Sequence, residues 1–201
     1  EIRGAGNLLG EAQHGHMAAV GYDLYCKMLG EAVRQLKGEA KEEVFTTTMD
    51  LNVDAYIPES YIPNEYQKLD IYKRIAGIEN EEELEDMTEE LLDRFGDIPK
   101  RVQQLLTIAG LKALAHSCYI TSVEQKGDEL KLTMYEKARL DPRKIPELLK
   151  RYAGSLAFKN EEPPYFLYVK KGRNGQKKTD SILDVVKKLL TDMEMLKTEE
   201  K

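Results

Sequence analysis

The chain has 201 residues, of which 41% are hydrophobic and 33% are charged, and its formal net charge is −6. This composition is too apolar for a disordered chain and fits a globular protein with a charged surface. A run of about 18 apolar residues, which a transmembrane helix needs, is absent, as is the apolar core of a secretory signal. The two cysteines, Cys26 and Cys118, lie far apart, so we expect a reduced, cytoplasmic protein. The chain begins with Glu1 rather than Met, which indicates a fragment or a processed chain.

The charges are unevenly spread along the sequence. Residues 79–90 contain eight acids in twelve positions. Residues 137–188 contain 14 Lys and Arg against 6 Asp and Glu, a local excess of +8. Such polarity favours contact with other macromolecular surfaces over binding in a small-molecule pocket.

The N-terminal part of the sequence predicts a Gly-rich lead followed by one long helix. Residues 1–14 are Gly-rich and irregular, and residues 37–43 form a charged exit or linker. Between them, apolar residues recur at spacings of three and four, which predicts an amphipathic helix over residues 15–37. Its stripe consists of Met17, Val20, Leu24, Met28, Ala32 and Leu36.

The next segment predicts one strand and three helices. Residues 45–55 alternate with period two, which is typical of a strand, and two Ile-Pro steps then exclude a helix. Asn64 is the expected cap of a helix to Ala76, and Asn80 with Glu83 resembles a capping box for a helix to Phe95. Pro99 fits the first turn of a third helix, to residue 117, whose apolar residues wrap most of its circumference.

The remaining residues predict a hairpin, a helix, two strands and a final helix. The hairpin joins strands 118–125 and 129–135, and a helix follows over residues 142–153. Short strands are expected at 155–159 and 165–170, and Thr179 or Asp180 is the expected cap of the last helix. The tail from Leu196 is expected to fray. The fold class is therefore α+β, with about five mostly antiparallel strands packed by about five helices, and we expect a boundary between residues 1–45 and 46–201.

Residues that resemble catalytic or metal-binding groups have simpler interpretations. The glycines at positions 4, 6 and 10 have the wrong spacing for a nucleotide-binding loop, and no strand precedes them. His14 and His16 lack the further close ligands that zinc requires, so no metal site is expected. Cys118 is expected to be a buried, inert thiol. With three histidines and exposed carboxylates only, the sequence predicts no active site and no cofactor in this chain.

The basic loop at residues 170–178, KKGRNGQKK, offers an alternative function. Five cations surround a predicted Asn-Gly turn and could contact phosphates. A nucleic-acid-binding module that uses residues 137–188 is therefore a second hypothesis. A solvated turn explains the same residues, and the net charge of −6 opposes nucleic-acid binding.

Two sets of motifs resemble a known family. RGAGNLLGEAQHGHMAAVGYDLYCKML resembles the end of the translocation motif of RecG-like DNA translocases, and in particular that of bacterial transcription-repair coupling factors. DAYIPESYIPNEYQKLDIYKRI and ELLDRFGDIP are similar to the C-terminal module of the same family. The two sets occur in the expected order, and the resemblance extends from residue 1 to at least residue 136.

The resemblance implies a function for the longer protein. Members of this family are ATP-driven translocases on double-stranded DNA that displace stalled RNA polymerase and recruit the excision-repair protein UvrA. Arg3 and Gln13 match the motif residues that couple ATP hydrolysis to DNA movement. ATP and Mg²⁺ would bind upstream of this chain, which leaves a non-catalytic fragment.

The resemblance also implies a role for the C-terminal module. It would pack on the N-terminal UvrB-like module as an autoinhibitory lid and mask the surface that binds UvrA. The polar contacts of that interface map by position to Glu90, Asp93 and Arg94. The residue pattern alone is equally consistent with Glu90 and Arg94 forming an ordinary surface pair one turn apart, worth roughly 0.3–0.5 kcal/mol.

Overall fold

A computed structural model describes residues 45–170 and 181–198 as a five-stranded sheet with five α-helices. This confirms the predicted α+β class. The predicted helix over residues 15–37, Arg3, Gln13, the first two histidines and most of the basic loop lie outside the described residues. The α-helices are α1 (Glu65–Ala76), α2 (Glu81–Phe95), α3 (Lys100–Ser117), α4 (Ile145–Arg151) and α5 (Ile182–Met193). The strands are β1 (Thr48–Asp50), β2 (Ile120–Lys126), β3 (Glu129–Met134), β4 (Leu156–Lys159) and β5 (Tyr165–Val169).

The sheet has the order β1-β2-β3-β5-β4 and is mostly antiparallel. The tight turn between β2 and β3 is a hairpin in which Gly127 has a φ of 59°, a value that glycine adopts without strain. β1 pairs parallel to β2, with Met49 opposite Val123. A parallel neighbour requires a long crossover connection, and here α1, α2 and α3 supply it.

Two hydrophobic clusters hold these layers together, and α3 belongs to both. One cluster lies between the sheet and the helices α3 and α5, with Phe166 and Leu132 fully buried at its centre. The other lies among α1, α2 and α3, around Ile71, Leu91 and Leu105. Because α3 must pack on both sides, its apolar residues surround most of the helix, as its sequence predicts.

Helix caps fix the bounds of α1 and α2 close to their predicted positions. The side chain of Asn64 accepts a hydrogen bond from the amide of Gln67, and that of Asn80 accepts one from Glu83. The Glu83 carboxylate accepts from the amide of Glu79, one residue before the position that a capping box uses. The α3 helix begins at Lys100, with Pro99 as its cap rather than its first residue.

Three predicted strand and helix bounds were wrong for local reasons. The first strand covers only Thr48–Asp50, because the amide of Val53 bonds the carbonyl of Leu51 at 2.8 Å and turns the chain away. In place of the single helix predicted over 142–153, the structure has a 3₁₀ turn, Pro142–Lys144, followed by α4. The two are separate because Pro146 has no N–H and cannot continue one series of helical hydrogen bonds. Cys118 caps the end of α3 instead of heading a strand.

The C-terminal predictions also need correction. The cap of α5 is Ser181, whose hydroxyl accepts from the amide of Asp184 in a capping box, and not Thr179 or Asp180. Leu196 is fully buried, and its carbonyl accepts a hydrogen bond of 2.8 Å from the amide of Asp141. The backbone of Lys197 pairs with that of Leu140 in an isolated antiparallel β-bridge. The chain end therefore packs against the domain up to this point rather than fraying from Leu196.

Candidate inter-domain contact surface

The last two turns of α2 carry the three residues predicted to contact another module. At about 100° per residue, Glu90, Asp93 and Arg94 share one arc of the helix, and Asp93 points nearly opposite the buried Leu91. Arg94 is exposed, as predicted, and so is Asp93, whereas Glu90, which was predicted to lie at the surface, is half-buried. The structure therefore brings the three residues together at the surface of α2.

Glu90 is held by two arginines from different helices. Arg74, in the last turn of α1, makes a bidentate contact in which its Nη1 lies 2.6 Å from Glu90 Oε1 and its Nη2 contacts Oε2. Arg94 Nη1 lies 2.5 Å from Glu90 Oε1. The Glu90 side chain is 27% exposed, and the two arginines are 42% and 41% exposed. We call this set, Arg74, Glu90 and Arg94, the ion triad.

The ion triad has a marked electrostatic consequence. The hydrogen bonds from Arg74 and then Arg94 lower the pKa of Glu90 from 4.5 to about 2, against a smaller opposing effect of burial. The hydrogen bond from Glu90 in turn raises the pKa of Arg74. Two cations and one anion leave the ion triad with a charge of +1 beside the exposed carboxylate of Asp93. The surface thus presents adjacent charges of both signs.

Aromatic residues fix the end of α2 on which this surface stands. The hydroxyl of Tyr61 lies 3.1 Å from the carbonyl oxygen of Leu91 and 3.2 Å from that of Gly96. Desolvation, with a further contribution from Asp97, raises the pKa of this phenol, so it stays a donor. The Arg94 guanidinium lies 5.0 Å from the centre of the Phe95 ring. The end of the helix and the arginine are therefore held in place before any partner binds.

Arg74 is the residue that sequence reasoning missed. The predicted Glu90–Arg94 pair does form, but Arg74 adds a second ion pair from a position sixteen residues away. The only signal in the sequence is a basic residue in the last turn of a helix that precedes an acidic helix. Which acid it meets depends on how α1 and α2 pack, and that is a tertiary property.

The basic region at residues 137–188 is partly neutralised where the structure describes it. Arg143 pairs with Asp141 at 2.9 Å, and Arg151 pairs with Glu147 at 3.0 Å. Lys170 is exposed, and the rest of the loop 170–178 lies outside the described residues. The nucleic-acid hypothesis therefore gains no support from these contacts.

The other candidate chemistry has structural explanations where it is described. His116 stacks on Phe45 with ring centres 4.3 Å apart, and its Nδ1 lies 3.2 Å from the hydroxyl of Thr47. Cys118 is buried, as predicted, and burial raises the pKa of its thiol. Residues 45–170 and 181–198 contain no cluster of three or more potential metal ligands. None of the helices in these ranges combines the length and the hydropathy that a membrane-spanning helix requires.

Comparisons with known proteins agree on one family. Residues 51–145 match the TRCF domain. The chain is 40% identical over 192 residues to the transcription-repair-coupling factor of Bacillus subtilis, and this alignment covers 94% of this chain and 16% of that protein. It is 45% identical over 139 residues to the transcription-repair-coupling factor of Staphylococcus haemolyticus, and this alignment covers 68% of this chain and 12% of that protein.

A solved structure gives the same result at the level of the fold. The crystal structure of a C-terminal domain of transcription-repair coupling factor superposes with a TM-score of 0.60 at 26% identity, over 75% of this chain and 91% of that one. The fold thus defines the class: an α+β domain of the kind found at the C-terminus of that protein. The chain belongs to the transcription-repair coupling factor family, and it spans 16% of the length of the Bacillus subtilis relative.

Proposed function

We propose that this chain is a non-catalytic regulatory module of an ATP-dependent DNA translocase. The full-length protein would displace stalled RNA polymerase from double-stranded DNA and recruit nucleotide-excision repair. Within it, the module would dock on the N-terminal UvrB-like module and mask the surface that binds UvrA. Release of the contact would expose that surface. Membership of the transcription-repair coupling factor family supports the wider role.

One observation carries the docking proposal: the end of α2 holds a prearranged charged surface. Arg74 and Arg94 are fixed by the same carboxylate, so their side chains lose little conformational entropy when a partner binds. Asp93 is exposed, and no cation in the described ranges pairs with it. An acceptor on the partner would meet Arg74 and Arg94, and a cation on the partner would meet Asp93.

The strength of such a contact suits a reversible lid. Exposed ion pairs contribute about 0.2–1 kcal/mol each, and a few of them give the coupling of about 1–3 kcal/mol that is typical of regulated states. A large apolar interface would be harder to open. In this scheme Glu90 acts mainly by positioning Arg74 and Arg94, and these two arginines and Asp93 contact the partner.

The test is binding between this chain and the separately produced N-terminal module of the same protein, measured by calorimetry. We expect Asp93→Arg and Glu90→Arg each to weaken binding at least about tenfold, which corresponds to 1.4 kcal/mol. Asp128→Arg is the matched control, because it makes the same charge change at an exposed position in the β2–β3 turn. If Asp93→Arg binds as tightly as Asp128→Arg, the assignment of this surface is wrong.

We also propose that Arg3 and Gln13 couple ATP hydrolysis to DNA movement in the full-length protein. Both residues lie outside the described ranges, and the support is the resemblance of RGAGNLLG and the following Gln to the translocation motif. Arg3→Ala and Gln13→Ala in the full-length protein should leave DNA-stimulated ATP hydrolysis measurable while abolishing displacement of a triplex-forming strand. Normal displacement by both variants would contradict this role.

A further inference from the structure

A groove of about 580 Å³ lies between α2 and α3, on the flank of α2 that faces away from the ion triad. At about 100° per residue, Thr88 and Leu92 lie on one side of the buried Leu91, and Glu90 and Arg94 lie on the other. The groove is therefore a separate surface. It is lined by Leu84, Thr88, Leu92, Asp97, Ile98, Gln103, Leu106 and Thr107.

The hydroxyl and amide side chains of the groove donate hydrogen bonds to nearby backbone carbonyls. Thr88 donates its hydroxyl proton to the carbonyl of Leu84 at 2.7 Å, and Thr107 donates to that of Gln103 at 2.9 Å. The Gln103 amide donates to the carbonyl of Ile98 at 2.9 Å. With these donors engaged, the groove offers a partner mainly methyl groups, so it suits an apolar side chain better than a polar ligand.

An exposed leucine marks the open edge of the groove. Leu92 is 47% exposed, one of three large apolar side chains found exposed among the described residues. At the other end Leu84 lies over Gly110, where a Cβ atom would come within 2.8 Å of Leu84 Cδ2. The close approach of α2 and α3 therefore closes one end, while Leu92 is left for a partner to cover.

The charge at the rim selects the kind of partner. Helix α2 carries eight acids and a single arginine. Glu81, Glu85 and Glu89 are exposed and fall on the flank of Leu92 at about 100° per residue, and the exposed Asp97 lines the groove itself. A segment that places an apolar residue in the groove must pass these carboxylates. Basic flanking residues would be attracted, and acidic ones would be repelled.

We propose that this groove binds a cationic amphipathic helix of another protein. The helix would insert one or two leucine-type side chains against Leu84, Leu92 and Leu106, and its Lys or Arg residues would face the carboxylates of α2. This is helix-in-groove recognition, in which apolar residues spaced by three or four act as anchors. The surface is independent of the ion triad, so the module would carry two contact sites on one helix.

The probe for the test is a synthetic helical peptide of roughly four turns, with leucine at every third or fourth position and lysine elsewhere. Two matched peptides replace either the lysines with glutamate or the leucines with serine. Binding to the 201-residue chain is measured by fluorescence anisotropy, and the contact is located by methyl NMR. We expect the Leu/Lys peptide to bind, both matched peptides to bind at least about tenfold more weakly, and the methyl signals of the three groove leucines to shift.

Variants of the chain decide whether the groove is the site. Two variants, Leu92→Glu on α2 and Thr107→Lys at an exposed position on the opposite wall, should each weaken binding at least about tenfold. The control is Tyr66→Ser, which removes another exposed large side chain and should leave binding unchanged. Circular dichroism checks that each variant is folded. If the peptide with serine in place of leucine binds as tightly as the Leu/Lys peptide, charge alone explains the binding. If the methyl signals of the groove leucines do not shift, the peptide binds elsewhere. Concentration-dependent dimerisation that Leu92→Glu abolishes would assign the groove to a second copy of this chain. Each of these three results would overturn the proposal.

Discussion

Replacement of Glu90 by Gln should lower the stability of this chain by about 1 kcal/mol at pH 7. The lowering of the Glu90 pKa from 4.5 to about 2 would correspond to roughly 3 kcal/mol at 1.36 kcal/mol per unit. That value is an upper limit, because Arg74 and Arg94 are 42% and 41% exposed and solvent screens the pair. The expected loss therefore lies at the upper end of the range for surface ion pairs.

The difference in the free energy of unfolding between wild type and Glu90→Gln should decrease as the pH is lowered. The pKa of Glu90 is lower in the folded state than in the unfolded state, so its contribution is complete above about pH 5. As the pH falls towards 2, Glu90 takes up a proton in the folded state too, and the contribution disappears. The free energies of unfolding of wild type and Glu90→Gln should therefore differ at pH 7, and the difference should shrink steadily as the pH falls from about 5 towards 2.

Urea denaturation at pH 7, 5, 4 and 3 measures this difference directly. Glu89→Gln is the matched control, because Glu89 is the neighbouring exposed acid and no ion pair involves it in the described part of the chain. In 1 M salt the effect at pH 7 should shrink, since the ion triad is partly exposed. The reasoning fails if Glu90→Gln and Glu89→Gln have the same free energy of unfolding at pH 7, or if their difference does not shrink between pH 5 and pH 3.

Three further outcomes follow from the packing, each measured as the free energy of unfolding in urea. Phe166→Ala should cost about 3–5 kcal/mol, because this side chain is fully buried at the centre of the sheet cluster, and a cost below about 1 kcal/mol would contradict that placement. Leu196→Ala should cost about 2–5 kcal/mol, whereas a frayed tail would give almost none. Gly110→Ala should stabilise the chain more when Leu84 is also alanine than when it is leucine, because the new Cβ would meet Leu84 Cδ2 at 2.8 Å. The coupling between the two substitutions should be about 0.5–3 kcal/mol, and strictly additive effects would refute the close contact.

Local signals explain why the helices α1, α2 and α3 were predictable. Asn64 and Asn80 cap helices whose apolar residues recur every three or four positions, and Gly96, with a φ of 78°, ends the second of them. The β2–β3 hairpin was also predictable, because alternating residues flank a short turn with glycine. Each of these features depends on residues that are close together in the sequence.

Other features depend on residues that meet only in the folded chain. Thr48–Asp50 is a strand because it pairs with β2, some seventy residues later. Leu196 is buried because its side chain joins the sheet cluster, and a hydrogen bond from the amide of Asp141 to its carbonyl holds the backbone there. In the same way, Glu90 was predicted as a surface residue, but its second partner, Arg74, comes from another helix. The groove at Leu92 likewise lies between α2 and α3, two helices whose side chains meet only in the folded chain.

Within the described residues, the sequence by itself therefore determined the kind and order of most secondary-structure elements and the helix that carries the candidate surface, and it also indicated the family. Tertiary structure decided which residues face each other across that surface. The physical reason is one of range: caps, turns and hydrophobic periodicity act within a few residues, whereas an ion pair between two helices or a groove between them is set by how the helices pack.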